Sequence, residues 1–446
     1  VPMIAISGQI ERKREQTFTH QVLDHNQIFS PVSKWATHVA PDTVGIVMRK
    51  ALRTAMAERP GPVHITTHAD VVGMEATDDA IVLPPLSVAR GSLQVFTQNS
   101  ESFDLQDRLR KARRPVILAG IAAQRAGAHH ALARLAETAG LPVVVAPMSK
   151  GVLAEDHAYY AGTLDMACNA FMWDFLKGCD LLLAVGFDAV ELIKRWQLSM
   201  PTVHIDAVPN TDQIYPAEVE LVGDIGAILE GLSSAWQGAA KWEVAEVRRH
   251  REALRAAYYA GRVKGRLNPT DVVDAVREAM PREAIATTDV GSHKLLVGQG
   301  WTTYEPRSVL MTNGLSSMGY SLPAAIAAKL LHPERPVVCF VGDGGLAMVQ
   351  GELRLASSLG LDLLVVVFCD NSLNRIEIKQ SNRKYPSWGT LIEPTDMLPL
   401  ARSMACEGAM VDSAAALQKL LASGRPKDRP LVVGAQIDPA QYTAQF

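Results

Sequence analysis

Pro336-Val-Val-Cys-Phe-Val-Gly-Asp-Gly-Gly345 is the stretch that decides the fold. Its first six residues form a continuous apolar run, as expected of a parallel strand buried on both faces. The glycines that follow predict a tight turn whose bare backbone can approach a phosphate, and a helix is predicted over Met348 to Leu359. A second apolar run, Leu361 to Phe368, leads into Cys369-Asp-Asn-Ser372. Asp343 and Asp370 lie 27 residues apart, each at the C-terminal end of a predicted strand. Oxygen ligands on two strand ends beside a phosphate-binding turn make a site for Mg²⁺ and a diphosphate. Gly-Asp-Gly by itself reads as a surface turn; the spacing and the strand contexts carry the stronger reading.

Outward from this point the chain reads as alternating strands and helices, which implies parallel sheets with helices on both faces. Its 446 residues suggest about three domains. Composition separates 1–85, 100–235 and 268–440, with a charged helical linker over 236–267 and an irregular stretch from Asp78 to Ser100. Asn268-Pro269-Thr270 reads as a helix start and Ala284 to Thr288 as the first strand of the last block. The expected fold class is α/β: three doubly wound parallel-sheet domains, the central one Rossmann-like and the first incomplete.

A hydrophobic fraction of 48% permits sizeable cores, and the net charge of −3 gives no hint of nucleic acid or an anionic membrane as partner. No apolar run is long enough to span a bilayer. The five scattered cysteines read as reduced core thiols of a cytoplasmic protein. Val1 opens inside an apolar strand, Val1 to Ile6, so a preceding segment is expected.

The pattern Gly-Asp-Gly, helix, strand, then Asp370-Asn371 resembles the signature of thiamine diphosphate enzymes. The likeness spans nearly the whole chain and is nearest to acetolactate synthases and related 2-oxoacid enzymes. Ile6-Ser-Gly-Gln9, Ile28-Phe-Ser-Pro-Val-Ser-Lys34 and Arg59-Pro-Gly-Pro-Val63 resemble late parts of their pyrimidine-binding domain. Asn313-Gly-Leu-Ser-Ser-Met-Gly-Tyr-Ser-Leu-Pro-Ala-Ala325 is the most specific match. The resemblance implies thiamine diphosphate and Mg²⁺ as cofactors, with Asp343, Asp370 and the Ser372 carbonyl as metal ligands. It extends the cofactor contacts to Gly291, Ser292, His293, Ser316, Met318, Gly344, Gly345, Leu373 and Asn374. Met318 would prop the folded cofactor, or else is ordinary core. His293 is a diphosphate contact or a structural residue, with Asp289 the alternative anchor.

Gln9 and Lys34 are the candidate substrate contacts. An ammonium suits a 2-oxoacid carboxylate, although Lys34 also reads as a surface lysine and Gln9 as a turn closer. The activating Glu of the family falls in the segment expected before Val1, so no catalytic residue is assigned. The implied reaction is decarboxylation of a small-molecule 2-oxoacid with carboligation to a second carbonyl. A simple decarboxylase, an acyloin lyase and a non-catalytic paralogue remain open. Leu373, Arg375 and the basic run Lys379 to Tyr385 depart from the pattern, so pyruvate is not assured as donor or acceptor. The central block lacks a Gly-x-Gly-x-x-Gly turn, and whether it holds FAD stays open. The resemblance implies at least a homodimer, or a homotetramer.

Overall fold

The computed structural model describes residues 1–77, 100–236, 238 and 242–445. Nearly all of the irregular stretch expected over Asp78 to Ser100 lies outside them, and Ser100 itself already opens a helix, Ser100–Lys111. The chain divides into two units, Val1–Arg90 and Gly91–Phe446.

In the first unit, strands β1 (Met3–Gln9), β2 (Trp35–His38) and β3 (Pro62–His68) form a parallel sheet in the order β1-β3-β2. Helix Val44–Met56 packs its Val47, Ala51 and Ala55 against Val63 and Ile65 of β3.

The second unit contains two six-stranded parallel sheets. The first is built from β4 (Pro115–Ala119), β5 (Val143–Val145), β6 (Tyr160–Thr163), β7 (Leu181–Val185), β8 (Thr202–Asp206) and β9 (Val219–Val222). Its order is β6-β5-β4-β7-β8-β9, so the chain reverses direction across the sheet between β4 and β7. A helix, Val244–Tyr258, occupies the middle of the expected charged linker.

The last sheet comprises β10 (Ile285–Thr288), β11 (Val309–Met311), β12 (Val337–Gly342), β13 (Leu363–Cys369), β14 (Glu407–Val411) and β15 (Leu431–Gln436). The order β11-β10-β12-β13-β15-β14 makes β10 the switch point. From β10 the chain steps outward to β11, then returns past β10 to β12. Right-handed crossovers in opposite directions put their helices on opposite faces. Accordingly Leu295, Leu296 and Val297 of helix Ser292–Gly300 pack with Val338 and Phe340 of β12. Leu322, Ala325 and Ile326 of helix Ser321–Leu331 pack instead with Val337, Cys339 and Val341. The strand is apolar throughout because both of its faces are covered. The crevice between these crossovers opens at the C-terminal ends of β10, β12 and β13, where doubly wound folds place ligands.

Two elements differ from expectation: the first strand runs Met3–Gln9 rather than Val1 to Ile6, and one predicted helix is divided. The helix predicted over Met348 to Leu359 is two helices, Asp343–Val349 and Glu352–Ser358. The first starts as soon as β12 ends, with Gly342 extended as its cap, so Gly344 and Gly345 form a first helical turn rather than a separate loop. The interruption falls at Gln350-Gly351, where the low helix propensity of glycine weakens continuity.

All five cysteines are buried and unpaired. Among the described residues no helix is long and apolar enough to cross a membrane.

The helix start read from Asn268-Pro269 is a capping box at the head of helix Pro269–Ala279. Asn268 is 3% exposed; its Oδ1 accepts the Val263 N–H (2.7 Å) and its Nδ2 donates to the carbonyls of Val263 and Arg266. Replacing Asn268 with Ala orphans these buried groups. The expected cost is about 2 kcal/mol or more, read from the urea unfolding midpoint.

Candidate functional site

Three neighbouring strand ends converge on one cavity of about 220 Å³. From β10 come Gly291, Ser292 and His293, from β12 Gly342 to Gly345, and from β13 Asp370, Ser372, Leu373 and Asn374. Met318, Phe368, Arg375 and Tyr442 also line it. Of the residues expected to touch the cofactor, the fold brings all but Ser316 to this cavity. Ser316 stands in the preceding loop at a positive φ of 51°.

Asp289, fully buried, braces the site from beneath. One carboxylate oxygen accepts the Gly319 N–H at 2.6 Å, and the other lies 3.1 Å from His293 Nε2. The His293 ring stacks on Phe368 with centroids 5.3 Å apart. A Cβ added at Gly345 would stand 2.5 Å from Asp289 Oδ2, so only glycine lets the helix start this close to the carboxylate. At Gly344 an added Cβ would meet Ile392 at 3.0 Å and Leu373 at 3.1 Å, with the Met318 methyl at 3.6 Å. These three side chains close an apolar wall over the glycine turn.

The loop after β13 is held from several sides. Ile392 and Leu373 exchange backbone bonds with it: Ile392 N–H donates to Asn371 at 2.8 Å, and Leu373 N–H donates to Thr390 at 2.7 Å. The Ser372 hydroxyl donates to Glu377, and Ser292 donates to Asn374 Oδ1 at 2.8 Å, joining the β10 and β13 ends. Asn371 adopts a φ of 55°, a conformation asparagine tolerates better than most residues. Asp289 was legible as a candidate anchor. Ile392, Phe368 and Tyr442 carried no motif signal, because their roles come from tertiary contacts.

Electrostatically the site is unfinished. Asp343 accepts the N–H groups of Gly344 and Asn371, both at 2.8 Å, and Asp370 that of Ser372 at 3.3 Å. Burial and the neighbouring Asp343 charge push the Asp370 carboxyl up to about 7, and burial raises Asp343 as well. Two carboxylates desolvated side by side are what a divalent cation relieves. Among the described residues no three His, Cys, Asp or Glu side chains are placed together to hold a metal ion, so backbone oxygens and a ligand's phosphates would have to complete an octahedron.

Gln9 and Lys34 lie in the first unit. Gln9 Nε2 donates to the Leu23 carbonyl at 2.6 Å, and Lys34 Nζ donates to the Ala57 carbonyl at 3.1 Å. At the switch point of the central sheet, the buried Glu191 carboxylate accepts the Ile121 N–H at 2.8 Å. Its Oε1 would be 2.6 Å from a Cβ at Gly120. A side chain thus fills the turn where a dinucleotide's diphosphate would lie.

Residues 289–435 match the family described as thiamine pyrophosphate enzyme, C-terminal TPP binding domain. Residues 104–232 match its central domain. The chain is 28% identical to a catabolic acetolactate synthase of Raoultella terrigena, over 98% of this chain and 79% of that protein. It is 30% identical to an acetolactate synthase large subunit of Parasynechococcus marenigrum, over 98% of this chain and 72% of the relative. A probable 2-ketoarginine decarboxylase of Pseudomonas aeruginosa is 29% identical over 87% of this chain and 69% of its own length.

The raised carboxyl contributes to the pH dependence of the metal-free protein. Between an unfolded value near 4 and about 7, the folded state holds protons that the unfolded state has lost, so stability falls as pH rises through that window. Asp370→Asn removes the penalty and is expected to stabilise the metal-free protein at pH 8 by roughly 2–4 kcal/mol. The same substitution should abolish stabilisation by Mg²⁺. In the unsubstituted protein that stabilisation should be larger at pH 8 than at pH 5.5. Thermal melts with and without Mg²⁺ at the two pH values check all three.

Proposed function

The chain belongs to the thiamine diphosphate enzymes, close to the acetolactate synthases, and from that premise we propose that it decarboxylates a 2-oxoacid and ligates the remaining fragment to a second carbonyl. The observation that carries this reading is the strand-end cavity, where an acidic pair, a glycine turn and an apolar wall meet. When bound, thiamine diphosphate supplies the electron sink that a 2-oxoacid needs to lose CO₂.

The chain's own residues hold and shield it. Asp343, Asp370 and the Ser372 carbonyl would hold Mg²⁺, which neutralises the diphosphate and the two carboxylates together. Gly291, Ser292, His293, Gly344, Gly345 and Asn374 would face the diphosphate. Met318 and Leu373, with Ile392 behind them, would keep water from the bound cofactor, which would favour ligation over premature protonation. Gln9 and Lys34 are our candidates for substrate contact, Lys34 for the carboxylate. A homodimer or homotetramer is the proposed assembly. Because Glu191 fills the diphosphate turn of the central sheet, we expect purified protein to show no flavin absorbance band.

A simple 2-oxoacid decarboxylase is the second reading, favoured by Arg375. This guanidinium lines the cavity at the position where the acetolactate synthase pattern has an apolar residue. A basic group there suits a substrate larger or more polar than pyruvate.

Incubation with pyruvate, thiamine diphosphate and Mg²⁺, followed by product analysis, separates the two. Acetolactate supports ligation; acetaldehyde alone supports the decarboxylase; neither product overturns pyruvate as substrate. Arg375→Leu should shift preference toward small apolar 2-oxoacids, with kcat/KM ratios changing on the order of tenfold for loss of one charged contact.

A further inference from the structure

A second cavity, of about 450 Å³, lies where β6, helix Val244–Tyr258, helix Pro269–Ala279 and the end of helix Ser292–Gly300 meet. It shares no lining residue with the strand-end cavity. Its size suits a small-molecule ligand.

Two residues of its wall each carry a buried polar atom with no hydrogen-bond partner, the Tyr258 hydroxyl and Gln299 Nε2. Tyr258 is 4% exposed, and its hydroxyl lies 2.0 Å from where a Cβ on Gly300 would stand, so Gly300 is what admits it. The Gln299 amide is oriented, because its Oε1 accepts the Thr163 N–H at 3.3 Å. Its Nε2 can therefore only donate. Burial and nearby acidic groups push the Tyr258 hydroxyl well above its ordinary range, which keeps its proton in place.

Around these donors stand Arg251, Arg255 and Arg277. Arg251 gives one N–H to the His157 carbonyl at 3.1 Å, which leaves most of its five donors for other partners. The acids in the wall are largely engaged. Glu155 is paired with the buried Lys150, and Asp274 accepts the Tyr259 hydroxyl at 2.8 Å, leaving Glu278 exposed. Buried donors without acceptors, flanked by guanidinium groups, select a ligand rich in acceptor oxygens.

We propose that this cavity is a binding site for a small oxoanion, a carboxylate or a phosphate, held by the Tyr258 hydroxyl, the Gln299 amide and the Arg251 guanidinium. Gln299 and Gly300 end the helix that Ser292 and His293 begin, a span of about 13 Å. An anion bound here therefore touches the far end of the element that builds one wall of the strand-end cavity.

The test is calorimetric titration of the protein, saturated with thiamine diphosphate and Mg²⁺ to occupy the strand-end cavity. Inorganic phosphate and malonate are titrated separately at fixed low ionic strength. Saturable binding is expected for at least one ion, and the tighter one identifies the source of the oxoanion. Tyr258→Phe and Gln299→Leu should each weaken it about tenfold, and Arg251→Gln at least as much. Absence of saturable binding for both ions overturns the proposal. So does binding that Tyr258→Phe and Arg251→Gln leave unchanged. Arg251 is only partly buried, so Arg251→Gln keeps the test decisive if Tyr258→Phe fails to fold. Because the readout is heat of anion binding, its failure leaves the proposed reaction untouched.

Discussion

Two carboxylates on neighbouring strand ends cannot both stay charged out of water unless a cation stands with them. Asp343 and Asp370 are placed in that position by the pairing of β12 with β13, which sets Gly342 opposite Phe368 and carries both acids to the same edge. Each strand is locked in register by apolar side chains on two faces, so neither acid can retreat without disturbing the core. The fold thus holds the two charges together, at a cost that a bound divalent cation and diphosphate would offset.

The same constraint explains why glycine recurs around the acids. Asp289 is fixed at the end of β10 by the Gly319 amide, and its carboxylate reaches under the first turn of helix Asp343–Val349. Any side chain at Gly345 would collide with it. Any side chain at Gly344 would push out Ile392 and Leu373. One turn therefore serves two purposes: it brings backbone close to an anion, and it admits a buried carboxylate from the strand beside it. The glycines follow from packing on both sides.

Much of this was legible in the sequence because it is local. Apolar runs of six or seven residues ending in Gly-Asp or Cys-Asp mark strands whose ends carry ligands, and the capping box at Asn268 is written in adjacent residues. The start of helix Asp343–Val349 differs from the sequence reading because Gly344 and Gly345 read as a turn; Asp289 and Leu373 leave no room for a side chain there, so glycine stands in the helix despite its poor propensity. Ile392 and Tyr442 were invisible for a related reason. Ile392 reaches Gly344 only because the 390–392 segment bonds back to the β13 loop, and no spacing rule encodes that return.

Helix Ser292–Gly300 joins what the sequence showed to what it did not. Its first turn is the Gly-Ser-His segment, recognisable by its position after a strand. Its last turn, Gln299-Gly300, has no motif and yet forms part of a donor-lined cavity. The middle of the helix, Leu295 to Val297, is buried against β12 and cannot rotate independently of either end. A helix of nine residues packed along its centre is in effect a rigid strut. One packed helix thus contributes its first turn to the strand-end cavity and its last turn to the second cavity.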